Sequence, residues 1–267
     1  MNPTHENIPF YAISWEQVAL ALLLIALAAG LTILNRSHME RQFLIGAIRS
    51  FVQLWLVGYF LVWLFASQNT LYLILTLEFQ ILMGAYTSAK QQESTTWNTM
   101  TSLSIALHGS VLIVGGYLYG VVLQVNPFEA PHLLIPVMGM VIGNSASGAA
   151  LSVHRLRGEI ESHKGEIEAA LTLGATPHKA LEPYIASTMR NALIPSLNSM
   201  MLMGIVQLPG MMTGQMIAGI VPQQAVRYQI IILYALAGAV ALTCYLTIKL
   251  EARGFFTRHW SLQIPNP

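Results

Sequence analysis

The sequence predicts an all-α integral membrane protein with seven transmembrane helices, the sixth broken, and a cytoplasmic helix–glycine–helix loop between spans 5 and 6. Hydrophobic residues make up 54% of the 267 positions and charged residues 9%, whereas a soluble globular domain carries about 25% charged residues. The apolar residues fall into runs of about 20, the length that crosses a bilayer as a helix. Charged residues concentrate instead in one segment. A soluble domain is thereby excluded, and a net charge of +1 argues against nucleic acid as a partner.

Seven segments have the length and composition of a membrane span, and we assign them to a single membrane domain, residues 1–267. Their approximate bounds are 15–34, 43–65, 71–88, 100–125, 132–153, 192–220 and 228–249. The third is short, and the sixth is interrupted by Pro209 and Gly210. No Lys or Arg precedes Arg36, so the first run lacks the basic region of a signal peptide and is interpreted as a retained span.

The cations predict the orientation. Lys and Arg follow spans 1, 3, 5 and 7, whereas the connections after spans 2 and 4 hold none and the one after span 6 holds only Arg227. Because cytoplasmic loops carry the excess of Lys and Arg, the N-terminus is predicted outside and the C-terminus in the cytoplasm. The loop between spans 5 and 6 is therefore cytoplasmic.

That loop, residues 154–191, carries ten of the chain's charged residues, five basic and five acidic. Its pattern predicts two short helices. The first places apolar residues on one face, namely Ile160, Ile167, Ala170 and Leu171. It ends at Gly174, which suits a left-handed C-terminal cap. The second begins with Thr176 as N-cap and Pro177 at the first helical position.

A short motif in this loop resembles the EAA loop of bacterial ABC-transporter permeases, the segment that meets a cytosolic ATPase. It consists of Glu168, Ala169 and Ala170 followed by Gly174. The resemblance implies an ATPase-coupling elbow formed by Glu168, Ala169, Ala170, Gly174, Ala175 and Pro177. The alternative is an ordinary amphipathic cytoplasmic loop, since three residues and a glycine often coincide by chance.

Longer blocks are similar to the FetB (YbbM) permease family, the membrane half of an iron-export ABC transporter. The blocks are LPGMMTGQMIAGIVPQQAVRYQI (208–230), GMVIGN (139–144) and RSFVQLWLVGY (49–59). The resemblance implies a permease homodimer in the bacterial cytoplasmic (inner) membrane, bound to two copies of a cytosolic ABC ATPase that holds ATP and Mg. The implied activity is iron efflux, with roles in metal homeostasis and oxidative-stress resistance. A secondary transporter, or an ABC permease for an aluminium-related substrate or a nucleotide sugar, remains an alternative.

The interruption of the sixth span predicts a gate or pathway. Pro209 removes a helical hydrogen bond and Gly210 permits unusual dihedral angles, and broken helices are tolerated where they line a cavity. The gate or pathway candidates are Pro209, Gly210, Met211, Met212, Gln207, Gln215 and Asn144. Methionines cluster around the break, at Met200, Met201, Met203, Met211, Met212 and Met216. Thioethers are soft ligands, so we interpret these residues as adaptable packing at a moving gate rather than as iron ligands.

Polar residues inside spans are functional candidates. Arg49 on span 2 and Glu78 on span 3 are interpreted as a structural ion pair, with a cation path past Glu78 as the alternative. Hard ligands suit iron better than thioethers, so the metal candidates are Glu78, Asn144 and His108. For His108 the alternative is a histidine satisfied within the membrane.

Small residues repeat every four positions on two spans, a spacing that lets helices approach closely in a bilayer. They are Gly139, Gly143 and Ser147 on span 5, and Gly116 and Gly120 on span 4. Packing within the bundle and a dimer interface both remain open as explanations.

Enzymatic motifs are missing from the sequence. It contains no HExxH zinc motif, no GxxxxGK[ST] phosphate loop and no intramembrane serine-protease motif. The single cysteine, Cys244, excludes an intrachain disulfide and a cysteine metal cluster. We expect a transport subunit without a cofactor of its own, and ATP hydrolysis in another polypeptide. No convincing internal repeat, as many secondary transporters have, is found.

Overall fold

The computed structural model describes residues 14–35, 40–67, 69–92, 97–257 and 260–263, and nearly all of them are helical. Nine α-helices lie in these ranges: α1 (Trp15–Leu34), α2 (Glu40–Ser67), α3 (Thr70–Lys90), α4 (Trp97–Ser110), α5 (Pro131–Ser162), α6 (Lys164–Thr172), α7 (Pro177–Leu202), α8 (Gly210–Ile217) and α9 (Pro222–Gly254). Helix α4 continues through two π-helical segments, Val111–Gly115 and Leu118–Leu123, and a 3-10 turn, Pro127–Glu129, precedes α5. The predicted all-α class is confirmed.

Six helices within the described residues are long and apolar enough to cross a membrane. They are α1, α2, α3, the α4 helix taken as Thr99–Leu123, α5 and α9. The region predicted as the sixth span, 192–220, is instead divided between the end of α7, a loop and α8. Helix α5 continues to Ser162, nine residues beyond the end predicted for span 5. A bend at His163 separates it from α6.

The chain forms two compact units, Met1–Asn69 and Thr70–Pro267. In the first unit, Ser14 begins α1 with a capping box: its side chain accepts the Gln17 backbone N–H, and the Gln17 side chain accepts the Ser14 N–H. Only Ala29 in α1 and Leu64 in α2 are buried among the described side chains of these helices. Two helices that are apolar on nearly every face are typical of segments surrounded by lipid or by other membrane helices.

Helices α5 and α9 form the centre of the second unit. They pack tightly at Gly148, where an added Cβ would lie 2.8 Å from Val240 Cγ1 and 3.1 Å from Cys244 Sγ. The glycines of the predicted four-residue repeats have more space around an added Cβ than Gly148 has. Gly116, Gly120 and Gly143 have no neighbouring atom within 4 Å of such a Cβ, and Gly139 meets only the Gln80 side chain, at 3.6 Å. The small-residue contact between the helices therefore lies one position beyond Ser147.

Three side-chain hydrogen bonds cross-link the second unit near one end. They run from Ser88 Oγ to the Ala146 carbonyl (2.8 Å), from Gln92 Nε2 to the Ala150 carbonyl (3.0 Å) and from Thr99 Oγ1 to Glu251 Oε2 (3.2 Å). The ends of α3, α5 and α9 and the start of α4 thus lie on the same side of the bundle. We call this side the elbow end, because α6 also packs there.

Candidate functional site

The helix–glycine–helix segment predicted as a coupling elbow, residues 164–177, is held firmly at the elbow end. Its anchor is an apolar cluster whose buried members are Leu156, Ile160, Ile167, Ala180, Leu181, Ile248 and Phe255. Ala170 and Leu171 pack against the same cluster. The apolar face predicted for the first loop helix is therefore confirmed, although Ile160 belongs to α5. The cluster ties α6 and the start of α7 to the ends of α5 and α9.

Gly174 ends α6 in the left-handed conformation that the sequence predicts. Its φ is +91°, a value that favours glycine because other residues suffer a Cβ clash there. The Gly174 N–H donates to the Leu171 carbonyl and the Ala175 N–H donates to the Ala170 carbonyl, both at 3.0 Å. This pair of bonds is a Schellman motif, which satisfies carbonyls at the end of the helix.

The next helix begins as predicted. Thr176 has an extended backbone (φ −70°, ψ 153°), and its side-chain oxygen accepts the Lys179 N–H at 3.4 Å. Pro177 occupies the first helical position, where its missing N–H costs no hydrogen bond. Together, Gly174 and Thr176 fix the direction in which α7 leaves α6.

Polar contacts brace the elbow against α5 and α7. The Tyr184 hydroxyl donates to Glu166 Oε2 at 2.8 Å, and Ser187 Oγ donates to Glu159 Oε1 at 2.7 Å. The rings of His163 and Tyr184 lie 4.8 Å apart. Burial and the hydrogen bond to Glu166 raise the pKa of Tyr184, so its hydroxyl stays protonated and remains a donor at neutral pH.

The outer face of the elbow combines charged and small residues with one exposed leucine. Glu168 and Ala169 are exposed, and Leu173, directly before the glycine, is 89% exposed. Glu168 Oε1 lies 3.8 Å from Lys164 Nζ with both side chains about half exposed, so this pair contributes little to stability. Leu173 was not among the residues predicted for the elbow. Its exposure was predictable from the sequence, because Ile167, Ala170 and Leu171 define the inward face of α6 and Leu173 falls outside that face.

The interruption of the sixth span differs from the prediction. Helix α7 ends at Leu202, and the chain is non-helical until α8 begins at Gly210, with Pro209 as the N-cap residue. Gly210 was predicted to help interrupt the span because it permits unusual dihedral angles; it is the first residue of α8, and its φ is not positive. The positive-φ glycines are Gly204 (+87°) and Gly219 (+89°). Pro209 starts a helix here because proline can precede or begin one without losing a hydrogen bond.

The residues predicted for a gate or pathway do not converge on one site. Asn144 lines a cavity of about 250 Å³ between α5, α7 and α9. Gln207 is exposed in the loop between α7 and α8. Met211 packs against the main core of the second unit, and Met212 is half-buried on α8. Gln215 on α8 has a buried Oε1 atom without a hydrogen-bond partner.

The cavity beside Asn144 has several polar lining residues. Its polar lining residues are Asn144, Ser147, Ser196 and Ser199, and its remaining lining includes Pro195 and Met203. The Asn144 side-chain amide donates to the Met140 carbonyl at 2.9 Å. Met203 is the one member of the methionine cluster in the lining, and its sulfur accepts from Gln229 Nε2 at 3.7 Å. The other five methionines lie elsewhere on α7 and α8.

Glu78 and His108 come together on adjacent helices α3 and α4. His108 Nε2 lies 2.9 Å from Glu78 Oε1 and 3.1 Å from Oε2. His108 Nδ1 lies 2.7 Å from the Ser104 carbonyl oxygen. Asn144, the third metal candidate, lines the separate cavity on α5. Arg49 is exposed on α2 in the first unit, so its pairing with Glu78 would join the two units and stays a prediction.

These features define the class: a polytopic, all-helical membrane protein whose bundle carries a rigid helix–glycine–helix elbow at one end. The family model described as "Uncharacterised protein family (UPF0014)" matches residues 15–256, and the chain belongs to this family. Comparison with solved structures finds no match.

Three relatives are similar over most of their length. "UPF0014 membrane protein YjkA" of Bacillus subtilis (strain 168) is 33% identical over 249 residues, which cover 92% of this chain and 97% of the relative. "Protein ALUMINUM SENSITIVE 3" of Arabidopsis thaliana is 30% identical, covering 92% and 88%. "Probable iron export permease protein FetB" of Escherichia coli (strain K12) is 30% identical, covering 91% and 93%. The resemblance to the FetB family is therefore confirmed.

Proposed function

We propose that this chain is the permease subunit of an ABC transporter and that its elbow docks on a cytosolic ATPase. The observation that carries the proposal is the outward face of the elbow. A nearly fully exposed leucine, Leu173, sits at the tip of a helix end whose inward face is fully packed. An exposed apolar tip with an acidic neighbour, Glu168, suits a groove on a partner, since buried apolar anchors supply most of the binding energy at interfaces.

Chain direction supports seven crossings. Helix α7 starts at the elbow end, where Ala180 and Leu181 pack with the end of α9. Helix α9 ends there too, so its first residue, Pro222, lies at the opposite end. The chain between Pro177 and Pro222 therefore has to pass from one end to the other, and the α7–loop–α8 path supplies a seventh, interrupted crossing.

Charge supports the proposed orientation. Seven cations lie near the elbow end: Lys90, Arg155, Arg157, Lys164, Lys179, Lys249 and Arg253. Among the described residues of the second unit, Arg227, in the second turn of α9, is the Lys or Arg nearest the opposite end. By the positive-inside rule the elbow end faces the cytoplasm of a bacterial inner membrane. With seven crossings, the N-terminus is then outside.

The proposed partners and cargo are those that the family resemblance implies. We propose a permease homodimer with two copies of a separate ATPase, which binds the ATP and Mg, and iron as the exported substrate. The name of the Escherichia coli relative supports iron and export. The name of the Arabidopsis relative concerns aluminium, so an aluminium-related substrate is the second candidate.

Co-purification of the ATPase with elbow variants tests the docking proposal. Leu173→Ser removes the apolar tip without touching the packed face. Gly174→Val forces a β-branched residue to a φ of +91°, at a cost on the order of 1–3 kcal/mol, and redirects α7. Glu168→Lys reverses the charge beside the tip. We expect all three variants to reach the membrane and to retain much less ATPase than the wild type.

Ile205→Ser is the matched control. Ile205 is 90% exposed but lies in the loop after α7, toward the end opposite the elbow. It should retain the ATPase fully. If the three elbow variants retain the ATPase as well as this control does, the elbow is not the docking site. The chain would then fit a solitary secondary transporter better.

A further inference from the structure

Glu78 and His108 form a two-residue unit with a defined proton arrangement. A carbonyl oxygen only accepts hydrogen bonds, so the 2.7 Å contact with the Ser104 carbonyl requires a hydrogen on His108 Nδ1. That hydrogen bond leaves Nε2 facing both oxygens of the Glu78 carboxyl group, at 2.9 and 3.1 Å. The two contacts together fix the ring orientation of His108.

A proton or a metal ion between Nε2 and the Glu78 carboxyl group accounts for this short contact. With the hydrogen on Nδ1, a neutral imidazole presents its Nε2 lone pair to an anion, and two acceptors at this distance repel each other. Either a proton or a metal ion removes the repulsion. Metal–nitrogen and metal–oxygen bonds of about 2.1 Å meeting at a right angle separate the two ligand atoms by about 3.0 Å. The observed distances fit a shared metal ion as well as they fit a shared proton.

The surroundings favour a metal site. A metal-binding histidine usually donates its other ring N–H to a carbonyl or carboxylate, as His108 does to Ser104. The side chains of His108 and Glu78 are 32% and 47% exposed, which leaves room for further ligands. On the outward faces of α3 and α4 the neighbouring side chains are apolar, including Ile74, Phe79 and Ile105. Ionisable residues kept among such apolar spans are usually functional.

We propose that Glu78 and His108 bind a divalent first-row transition metal ion, Fe(II) or a similar ion, which replaces the shared proton. One carboxylate and one imidazole are ligands that such ions accept. Within the described part of the chain, no three His, Cys, Asp or Glu side chains are grouped to hold a metal. The chain supplies two ligands, and water completes the coordination. A site held by so few protein ligands releases its ion readily, as a transport site must.

The identification of this ion as cargo rests on the proposed permease function, but binding itself does not. The test therefore uses the full chain alone in lipid nanodiscs, with Co(II) as a spectroscopic probe for Fe(II). We expect one Co(II) per chain, with visible absorption bands. Glu78→Gln and His108→Gln should each weaken binding at least about tenfold, because each removes a ligand but keeps a polar side chain of similar size. His154→Gln, which changes an exposed histidine on α5, should bind as the wild type does.

A second measurement needs no variant, so it decides the question even if the substitutions disturb folding. Diethylpyrocarbonate acylates accessible histidine nitrogens, and mass spectrometry of the wild-type chain reports modification at His108. Co(II) should protect His108 over the same concentration range in which it binds, while His154 remains reactive. The proposal is overturned if the wild type binds no Co(II), if both ligand variants bind undiminished, or if Co(II) leaves the modification of His108 unchanged.

The two proposals fail separately. Loss of metal binding with normal ATPase co-purification would leave the permease proposal intact and make Glu78–His108 a structural pair. Metal binding by a chain that retains no ATPase would leave this site in place and remove the ABC assignment.

Discussion

Glu251 is a buried carboxylate that links three helices at the elbow end, and the sequence analysis did not identify its role. It is 9% exposed on α9, and its Oε2 accepts a hydrogen bond from Thr99 Oγ1 on α4. Ser102 provides a further hydrogen bond, and the Arg157 guanidinium on α5 stabilises its charge. The protein accommodates a carboxyl group in this buried position because these partners replace water.

Removing the Glu251 side chain should therefore destabilise the bundle. Glu251→Ala deprives Thr99 of its acceptor and Arg157 of a neighbouring negative charge, at a cost on the order of 1–3 kcal/mol. Glu251→Gln keeps an oxygen acceptor for Thr99 and should cost less. Thermal unfolding of the purified variants in detergent measures the difference. Equal unfolding temperatures for the wild type and the Ala variant would show that this cluster contributes nothing to stability.

At the scale of elements, the contact between α5 and α9 depends on the missing side chain of Gly148. An added methyl group would meet Val240 Cγ1 at 2.8 Å, closer than carbon atoms approach in a packed core. The same addition at Gly143, five residues earlier on α5, meets open space. The two glycines therefore provide a test position, Gly148, and a control position, Gly143, on the same helix.

Gly148→Ala should lower stability by about 1–3 kcal/mol, the usual cost of overpacking a tight core. Gly143→Ala should be neutral or stabilising by up to about 1 kcal/mol, because alanine is the better helix former. Thermal unfolding in detergent compares them. A lower unfolding temperature for Gly143→Ala than for Gly148→Ala would contradict the geometry. It would point instead to a partner that covers Gly143.

Features that depend on neighbours in the sequence were predictable, and those that depend on helix rotation were not. Gly174, Thr176 and Pro177 obey capping rules that act over a few residues, and the structure confirms all three. The four-residue repeat with Gly139 and Gly143 left packing within the bundle and a dimer interface open, and it did not predict the tight α5–α9 contact at Gly148. Each residue turns a helix by about 100°, so an error of one position selects a different face.

Contacts between side chains that are far apart in the sequence could not be predicted either. Glu78 and His108 were recognised separately as metal candidates, but no local pattern joins residues 30 positions apart. Glu251 and Thr99 are 152 positions apart. The break after α7 was predicted in the right region and attributed to Pro209 and Gly210. The turn begins earlier, at Met203 and Gly204, because the helix ends where a glycine can adopt a positive φ.

At the scale of the whole molecule, the substrate is tested with the reconstituted complex. Permease and ATPase in liposomes should hydrolyse ATP faster in the presence of the transported ion, because cargo binding favours the conformation that engages the ATPase. We expect iron to stimulate hydrolysis severalfold more than manganese, zinc, copper or aluminium at equal free concentration. Stimulation by aluminium alone would favour the second candidate, an aluminium-related substrate, over iron. Stimulation by none of the five would argue against a metal cargo.

Helix α5 has a mechanical consequence. It runs for 32 residues from Pro131 to Ser162 without interruption, and a helix of that length is about 48 Å long, compared with about 30 Å for the hydrocarbon core. The helix is therefore about 18 Å longer than the hydrocarbon core is thick, and its last turns lie in the cluster that holds the elbow. A helix that moves as one rigid rod acts as a lever. A tilt of about 5° at the elbow would displace the far end of α5 by about 4 Å. Movement of the elbow would then displace the opposite end of α5 directly, without a rearrangement of other helices in between.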